Sequence, residues 1–152
     1  MSPLPDPPAP FVILLVEDEA ADAHLVKLAL REHRGHTDLR LAGDGIEALA
    51  FLRRDDAAFA HAPRPNLILL DLNMPRMNGR ELLAVLKADP ELREIPVVVL
   101  TTSEAEQDVS EAYKLGAADF VSKPVELEQF FAAIHQLHDY WFHLNRLPEQ
   151  KP

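Results

Sequence analysis

Three continuous apolar runs punctuate the chain: Phe11–Val16, Leu67–Leu70 and Ile95–Leu100. Short unbroken runs of this kind read as strands covered on both faces, as in the middle of a parallel sheet. Two weaker segments, Thr37 to Ala42 and Asp119 to Ser122, alternate or turn over quickly enough to be shorter strands. Between them the apolar positions change to helical spacing. From Ala20 to Arg34 the stripe runs through Ala21, Leu25, Leu28 and Ala29, widened by Val26 and Leu30, with Gly35 as a C-cap. A second helix is predicted over Ile46 to Arg53, capped by Asp44. A third, Gly79 to Ala88, turns Leu82, Leu83 and Leu86 inward and is stopped by Asp89-Pro90. A fourth covers Ala105 to Leu115 and closes at Gly116, and a fifth starts near Val125. Arg54 to Asn66 is the least regular internal part; Ala57-Ala58-Phe59-Ala60 has the composition to add a helical turn, but Pro63 and Pro65 bound it, and it reads as an extended surface connection.

Five strands alternating with five helices predict an α/β fold, a doubly wound (βα)5 unit with a five-stranded parallel sheet and right-handed crossovers. No internal repeat or second domain is visible. Met1 to Pro10 holds five of the thirteen prolines, and residues 1–10 read as a disordered leader.

Composition narrows the chemistry. The chain has 152 residues, a net charge of −10 and no cysteine. That acidity argues against direct binding to nucleic acid or to anionic lipid, both of which need clustered Lys and Arg. Disulfides and thiolate metal sites are excluded. With no secretory signal and no apolar run long enough for a bilayer, the expectation is a cytoplasmic protein without a membrane span.

The strand ends carry the most specific signal. The first strand runs into Glu17-Asp18, the third into Asp71, the fourth into Thr101, and Lys123 follows the fifth. In a doubly wound sheet these ends converge on one edge, where ligands bind at the reversal of strand order. Three carboxylates gathered there repel unless a cation sits among them, and an all-oxygen set with room for waters suits Mg²⁺ better than zinc. A carboxylate held by Mg²⁺ on one oxygen can attack a phosphoryl group with the other. Lys123, Thr101 and nearby backbone N–H groups are the right kinds of group to neutralise the charge on the phosphoryl oxygens.

From about Phe11 to Leu137 the chain resembles the receiver domain of bacterial two-component response regulators, a flavodoxin-like fold. The resemblance rests on Glu17-Asp18, on Asp71-Leu-Asn-Met-Pro75 with Gly79, on Thr101-Thr102 and on Lys123-Pro124. The spacings 101 − 71 = 30 and 123 − 101 = 22 agree with the family. It implies that Asp71 accepts a phosphoryl group from a phosphohistidine on a sensor histidine kinase. Mg²⁺ would be held by Asp18, Asp71 and the backbone carbonyl of Asn73. The family often has Asp where Glu17 stands, and the extra methylene leaves direct and water-mediated ligation both open. Lys123 would pair with a phosphoryl oxygen, the Lys123-Pro124 bond being commonly cis in the family. Thr101 would be the switch hydroxyl, with Thr102 and Asn73 also at the phosphoryl group. Phe120 stands at the aromatic switch position, where Phe lacks the hydroxyl of the alternative Tyr. Asn73 and Ser103 match positions that tune loss of the aspartyl phosphate.

By the same resemblance residues 11–139 form the receiver and 140–152 an extension, with no DNA-binding output domain following. Leu127, Phe130, Phe131, Ile134, Leu137, Trp141 and Leu144 keep helical spacing past the usual end of a receiver. Phe130, Tyr140, Trp141 and Phe142 are therefore expected at a homodimer contact. His135 and His138, one turn apart, read as solvated surface histidines rather than a metal pair. The extension and the long middle connection look like those of stand-alone receivers paired with bacterial phytochrome-type kinases. Three alternatives are weighed. A haloacid-dehalogenase-type Mg²⁺ phosphatase would want a second Asp where Asn73 stands. A flavin module would be repelled by Glu17-Asp18-Glu19. A scaffold that signals without phosphorylation is the third.

Overall fold

The computed structural model describes residues 10–31, 37–55, 57–72, 74, 77–101, 106–122 and 126–146, with backbone only at 101, 106–108, 122, 145 and 146. In chain order the elements are β1 (Phe11–Val16), α1 (Ala20–Arg31), β2 (Thr37–Ala42), α2 (Gly45–Arg53), β3 (Leu67–Leu70), α3 (Gly79–Ala88), β4 (Val97–Thr101), α4 (Glu106–Lys114), β5 (Asp119–Ser122) and α5 (Leu127–Arg146). The sheet has the order β2-β1-β3-β4-β5, and every neighbouring pair is parallel. This is the predicted doubly wound (βα)5 architecture, and the strand order reverses between β1 and β3.

Alternation along the strands builds two cores. Leu14, Val16, Ile68, Leu70, Val97 and Val99 face α2, α3 and α4, while Phe11, Ile13, Leu15, Leu67, Leu69 and Val98 face α1 and α5. Unbroken apolar runs are required because both faces of the central strands are covered. Burying each Leu, Ile or Val stabilises the fold by roughly 1.5–3 kcal/mol. Leu82, Leu83 and Leu86 are fully buried, as their spacing predicts. β2 lies at the edge of the sheet, so its burial is broken and Leu41 is 54% exposed.

The helix termini are set by local chemistry. Asp44 caps α2 by accepting from the Glu47 N–H at 2.8 Å. Glu47 reaches back past the cap and accepts from the Gly43 N–H at 3.1 Å, a variant of the reciprocal capping arrangement. Asn78 caps α3 through the Glu81 N–H at 3.0 Å. Gly116 follows α4 with φ +103°, a conformation that glycine adopts without strain.

Several sequence expectations shift. The buried stripe of α1 is Ala23, Val26, Ala29 and Leu30; the last three lie on the predicted stripe, Leu25 packs partly buried on the same core, and Ala23 is buried where Ala21 was expected, Ala21 being exposed. A stripe with small residues lets the helix lie close to the sheet. β4 begins at Val97 rather than Ile95, because Pro96 has no N–H for the ladder, although its carbonyl accepts from the Ile68 N–H at 3.0 Å. Ala57–Phe59 forms a single 3-10 turn within the connection expected to be extended. Phe59 packs edge-on against Phe51, and Arg54 Nε donates to the Ala62 carbonyl at 2.8 Å. The leader 1–9 and Gly35 lie outside the described residues.

The largest correction concerns α5. His138 is fully buried rather than solvated. It hydrogen-bonds the Thr37 hydroxyl at the start of β2, packs edge-on to Phe11 and stacks on Phe142. His135 Nε2 bonds the Ala29 carbonyl oxygen at 2.7 Å, tying α5 to α1. Both residues lie on the flank of α5 that meets the sheet and α1. Their polarity hid this in a reading based on hydrophobic periodicity. No helix of the described residues is long and apolar enough to cross a membrane.

Gly79 supports the fold where no side chain fits. A Cβ there would lie 2.3 Å from the Asp71 carbonyl oxygen and 2.6 Å from Leu72 Cα. At Gly43 the nearest atom would be the Glu47 carboxylate, at 3.4 Å. Gly79→Ala is expected to lower unfolding free energy by about 2–4 kcal/mol in urea titrations followed by circular dichroism, and Gly43→Ala by less than about 1 kcal/mol.

Candidate functional site

The site is assembled by backbone ladders that run one residue past the strands. Glu17 N–H donates to the Ala42 carbonyl and Asp71 N–H to the Val16 carbonyl, each at 3.0 Å. The end of β1 is thereby fixed between the ends of β2 and β3, and Glu17, Asp18 and Asp71 meet at the reversal point of the sheet. Carboxylate oxygens of all three lie within 4.8 Å of one another. Glu17 and Asp71 are buried, at 3% and 6% exposure, while Asp18 faces solvent. Glu17 Oε1 also accepts the Glu19 N–H at 3.2 Å, which bends the chain toward α1.

Like charges this close in a partly desolvated pocket repel, and a divalent cation among them turns the repulsion into attraction. The donors are all oxygen, and one carboxylate is open to solvent. That combination fits a hard cation that keeps several waters.

The surrounding loops are pinned. Gly45 N–H donates to the Met77 carbonyl at 3.1 Å, and Gly79 N–H to the Leu72 carbonyl at 3.0 Å. A Cβ at Gly45 would fall 2.7 Å from Met77 Cγ. Sequence reasoning identified Gly79 as part of the motif but missed Gly45 as a support of the loop after β3. The Gly43-Asp44-Gly45 cluster is the available signal, of which the sequence reading uses only Asp44, as the cap of the second helix.

Thr101 ends β4 and pairs in register with Ser122, the last residue of β5. The Thr101 side chain lies outside the described residues, as do Thr102, Ser103, Asn73, Lys123 and Pro124, and with them the expected cis bond. Phe120 is half-buried on β5, packed against the core beneath α2, α3 and α4. On α5, Phe130 is only 4% exposed and belongs to the chain's own core. It is not available for the expected contact between copies, because its turn of the helix faces the sheet. Trp141 and Phe142 are half-buried against that core, while Tyr140 is 62% exposed.

Comparison with known proteins gives a consistent result. Residues 13–135 match the family model of the response regulator receiver domain. The response regulator Rcp1 of Synechocystis sp. is 43% identical over 139 residues, spanning 91% of this chain and 94% of Rcp1. Among solved structures, the phosphorylated cyanobacterial phytochrome response regulator RcpA is similar at TM-score 0.85 and 41% identity, covering 93% of this chain and 100% of RcpA. The Mn²⁺-bound form of Rcp1 is similar at TM-score 0.84 and 43% identity, covering 92% of this chain and 100% of Rcp1.

The carboxylate cluster predicts a stability response to metal. Saturating Mg²⁺ is expected to stabilise the chain by about 2–3 kcal/mol at a hundredfold excess over its dissociation constant, measured by urea unfolding. Asp71→Asn is expected to be more stable than the parent without metal, because like-charge repulsion is relieved, and to lose most of the metal response.

Proposed function

The chain belongs to the response regulator receiver domain family, which signals by phosphorylation, and we propose that Asp71 is its phosphoacceptor, charged from a phosphohistidine on a sensor histidine kinase. The observation that carries this reading is the meeting of Glu17, Asp18 and Asp71 within 4.8 Å at the reversal of the sheet. Asp71 carboxylate oxygen attacks phosphorus in line with the leaving imidazole. The O–P bond forms as the N–P bond breaks, and the imidazole nitrogen recovers its lone pair and takes up a proton. Water later attacks the acyl phosphate and restores the carboxylate.

Asp18, Asp71 and the Asn73 backbone carbonyl would hold Mg²⁺, with Glu17 contributing directly or through water. Bound there, the ion would supply positive charge opposite the phosphoryl oxygens, which the acidic site otherwise lacks. Lys123, Thr101 and Thr102 complete the charge balance, with Asn73 beside the phosphoryl group. Thr101 moves toward the phosphate and Phe120 repacks into the space it leaves, carrying the change to the face formed by α4, β5 and α5. The aromatic ring has no hydroxyl to bond, so the coupling is one of packing.

A phytochrome-type kinase is the partner we favour, supported by 41% identity to RcpA, a phytochrome response regulator. A homodimer forms on the exposed flank of α5 around Tyr140 and Leu144, both exposed large apolar side chains. The phosphatase alternative is not favoured, given the family match and Asn73 in place of its general acid.

Incubation with acetyl phosphate and Mg²⁺ is expected to add one labile phosphoryl group to the intact mass, and none in Asp71→Asn. Turnover of many phosphoesters without an adduct would favour the phosphatase, and no adduct under any condition the scaffold. For the dimer, light scattering is expected to give twice the chain mass for the parent and a single chain for Tyr140→Arg. A monomeric parent would exclude that contact.

A further inference from the structure

β2 is an outer strand of the sheet, paired on one side only, with β1. It is six residues long, contains no proline and pairs one-to-one with β1 from Phe11↔Thr37 to Val16↔Ala42, so no bulge turns its edge away. Long, straight edges of this kind accept another strand unless the sequence blocks them. Successive side chains point to opposite faces. Leu39 packs toward the α1 side with the Phe11 core, and Ala42 belongs to the other core. A depression opens beside the edge on each face. On the α1 side it measures about 280 Å³ and is lined by Leu15, Ala23, Lys27, Leu39 and Leu41. On the α2 side it measures about 340 Å³ and is lined by Arg40, Leu41, Phe51, Phe59 and His61. The second wall comes from the long connection after α2, which gives that segment a role at the edge.

We propose that this edge pairs with the β2 edge of a second copy, antiparallel, about a two-fold axis at Leu39. The charge pattern selects both occupant and register. Asp38 and Arg40 lie two residues apart on one face. An axis at Leu39 sets Asp38 opposite Arg40 of the second copy, and Arg40 opposite its Asp38. A shift of the axis to residue 38 or 40 instead sets Asp against Asp or Arg against Arg. On the other face Leu39 meets its own copy and Leu41 meets Thr37, closing apolar side chains over the α1-side depression. Within one chain Asp38 and Arg40 already bond each other, at 2.8 and 3.2 Å. The crossed pairs therefore exchange or bridge an existing ion pair, so their contribution is to register rather than to added charge pairing. The edge pairing uses residues of β2 and the proposed α5 contact uses Tyr140 and Leu144, so different substitutions test them.

The absence of cysteine makes the test direct. Residues directly opposed in an antiparallel pair have Cα atoms about 4.5–5.5 Å apart, within the span of a disulfide. Under mild oxidation Leu39→Cys is expected to give a covalent dimer on a non-reducing gel, whereas Glu94→Cys, an exposed control, stays monomeric. Tyr140→Cys reports the α5 contact separately. In the Leu39→Cys background, Asp38→Arg carries two cations at the edge and Arg40→Asp two anions. Each alone is expected to cross-link about tenfold more weakly, and an equimolar mixture of the two to recover. No cross-link at residue 39, equal cross-linking at residue 94, or a mixture no better than its components overturns the proposal.

Discussion

Everything at the site depends on the way a parallel sheet changes direction. Because β1 lies between β2 and β3, its last backbone groups are bonded on both sides. The ladder forces Glu17-Asp18 and Asp71 together despite their charge. Backbone hydrogen bonds and two buried cores hold three carboxylates at a separation that the carboxylates themselves oppose. The fold thereby holds like charges together at its reversal point, an arrangement that a divalent cation placed among them would relieve. Loop glycines serve the same end, since Gly79 and Gly45 let backbone approach backbone where any side chain would push the acceptor away.

Much of this was legible in the sequence, for reasons that differ by element. The central strands are covered on both faces, so their apolar runs are unbroken and their ends sharp; β3 falls where Leu67 to Leu70 predicted it. The site was readable because each carboxylate directly follows such a run. On α1 the predicted stripe held at Val26, Ala29 and Leu30, and the miss was confined to Ala23, whose small side chain gives no hydrophobic signal to set it apart from the exposed Ala21. The roles of His138 and Phe130 were hidden for opposite reasons: a polar residue was assigned to solvent and an apolar one to a partner. Both belong to the same buried flank of α5. Whether a histidine is buried depends on what lies across from it, here the Thr37 hydroxyl and two phenylalanine rings, and that is tertiary information.

The long connection after α2 illustrates a further limit. Its prolines predict an extended surface connection. Yet Ala57–Phe59 turns back so that Phe59 can reach Phe51. Arg54, in the left-handed region with φ 54°, fastens the return by bonding the Ala62 carbonyl. The aromatic pair and the guanidinium act together with backbone bonds such as Ala62 N–H to the Phe59 carbonyl at 3.0 Å, and none of these leaves a periodic trace in the sequence.

The hydrogen bond between His138 and Thr37 has a mechanical meaning. It joins the last helix to the outermost strand at the end of the sheet remote from the carboxylates, while His135 joins the same helix to α1. α5 therefore acts as a strut across one layer, fastened at two points. A force applied to its far end is borne by the edge strand and by α1 together, so the helix would tilt as a lever rather than fray turn by turn.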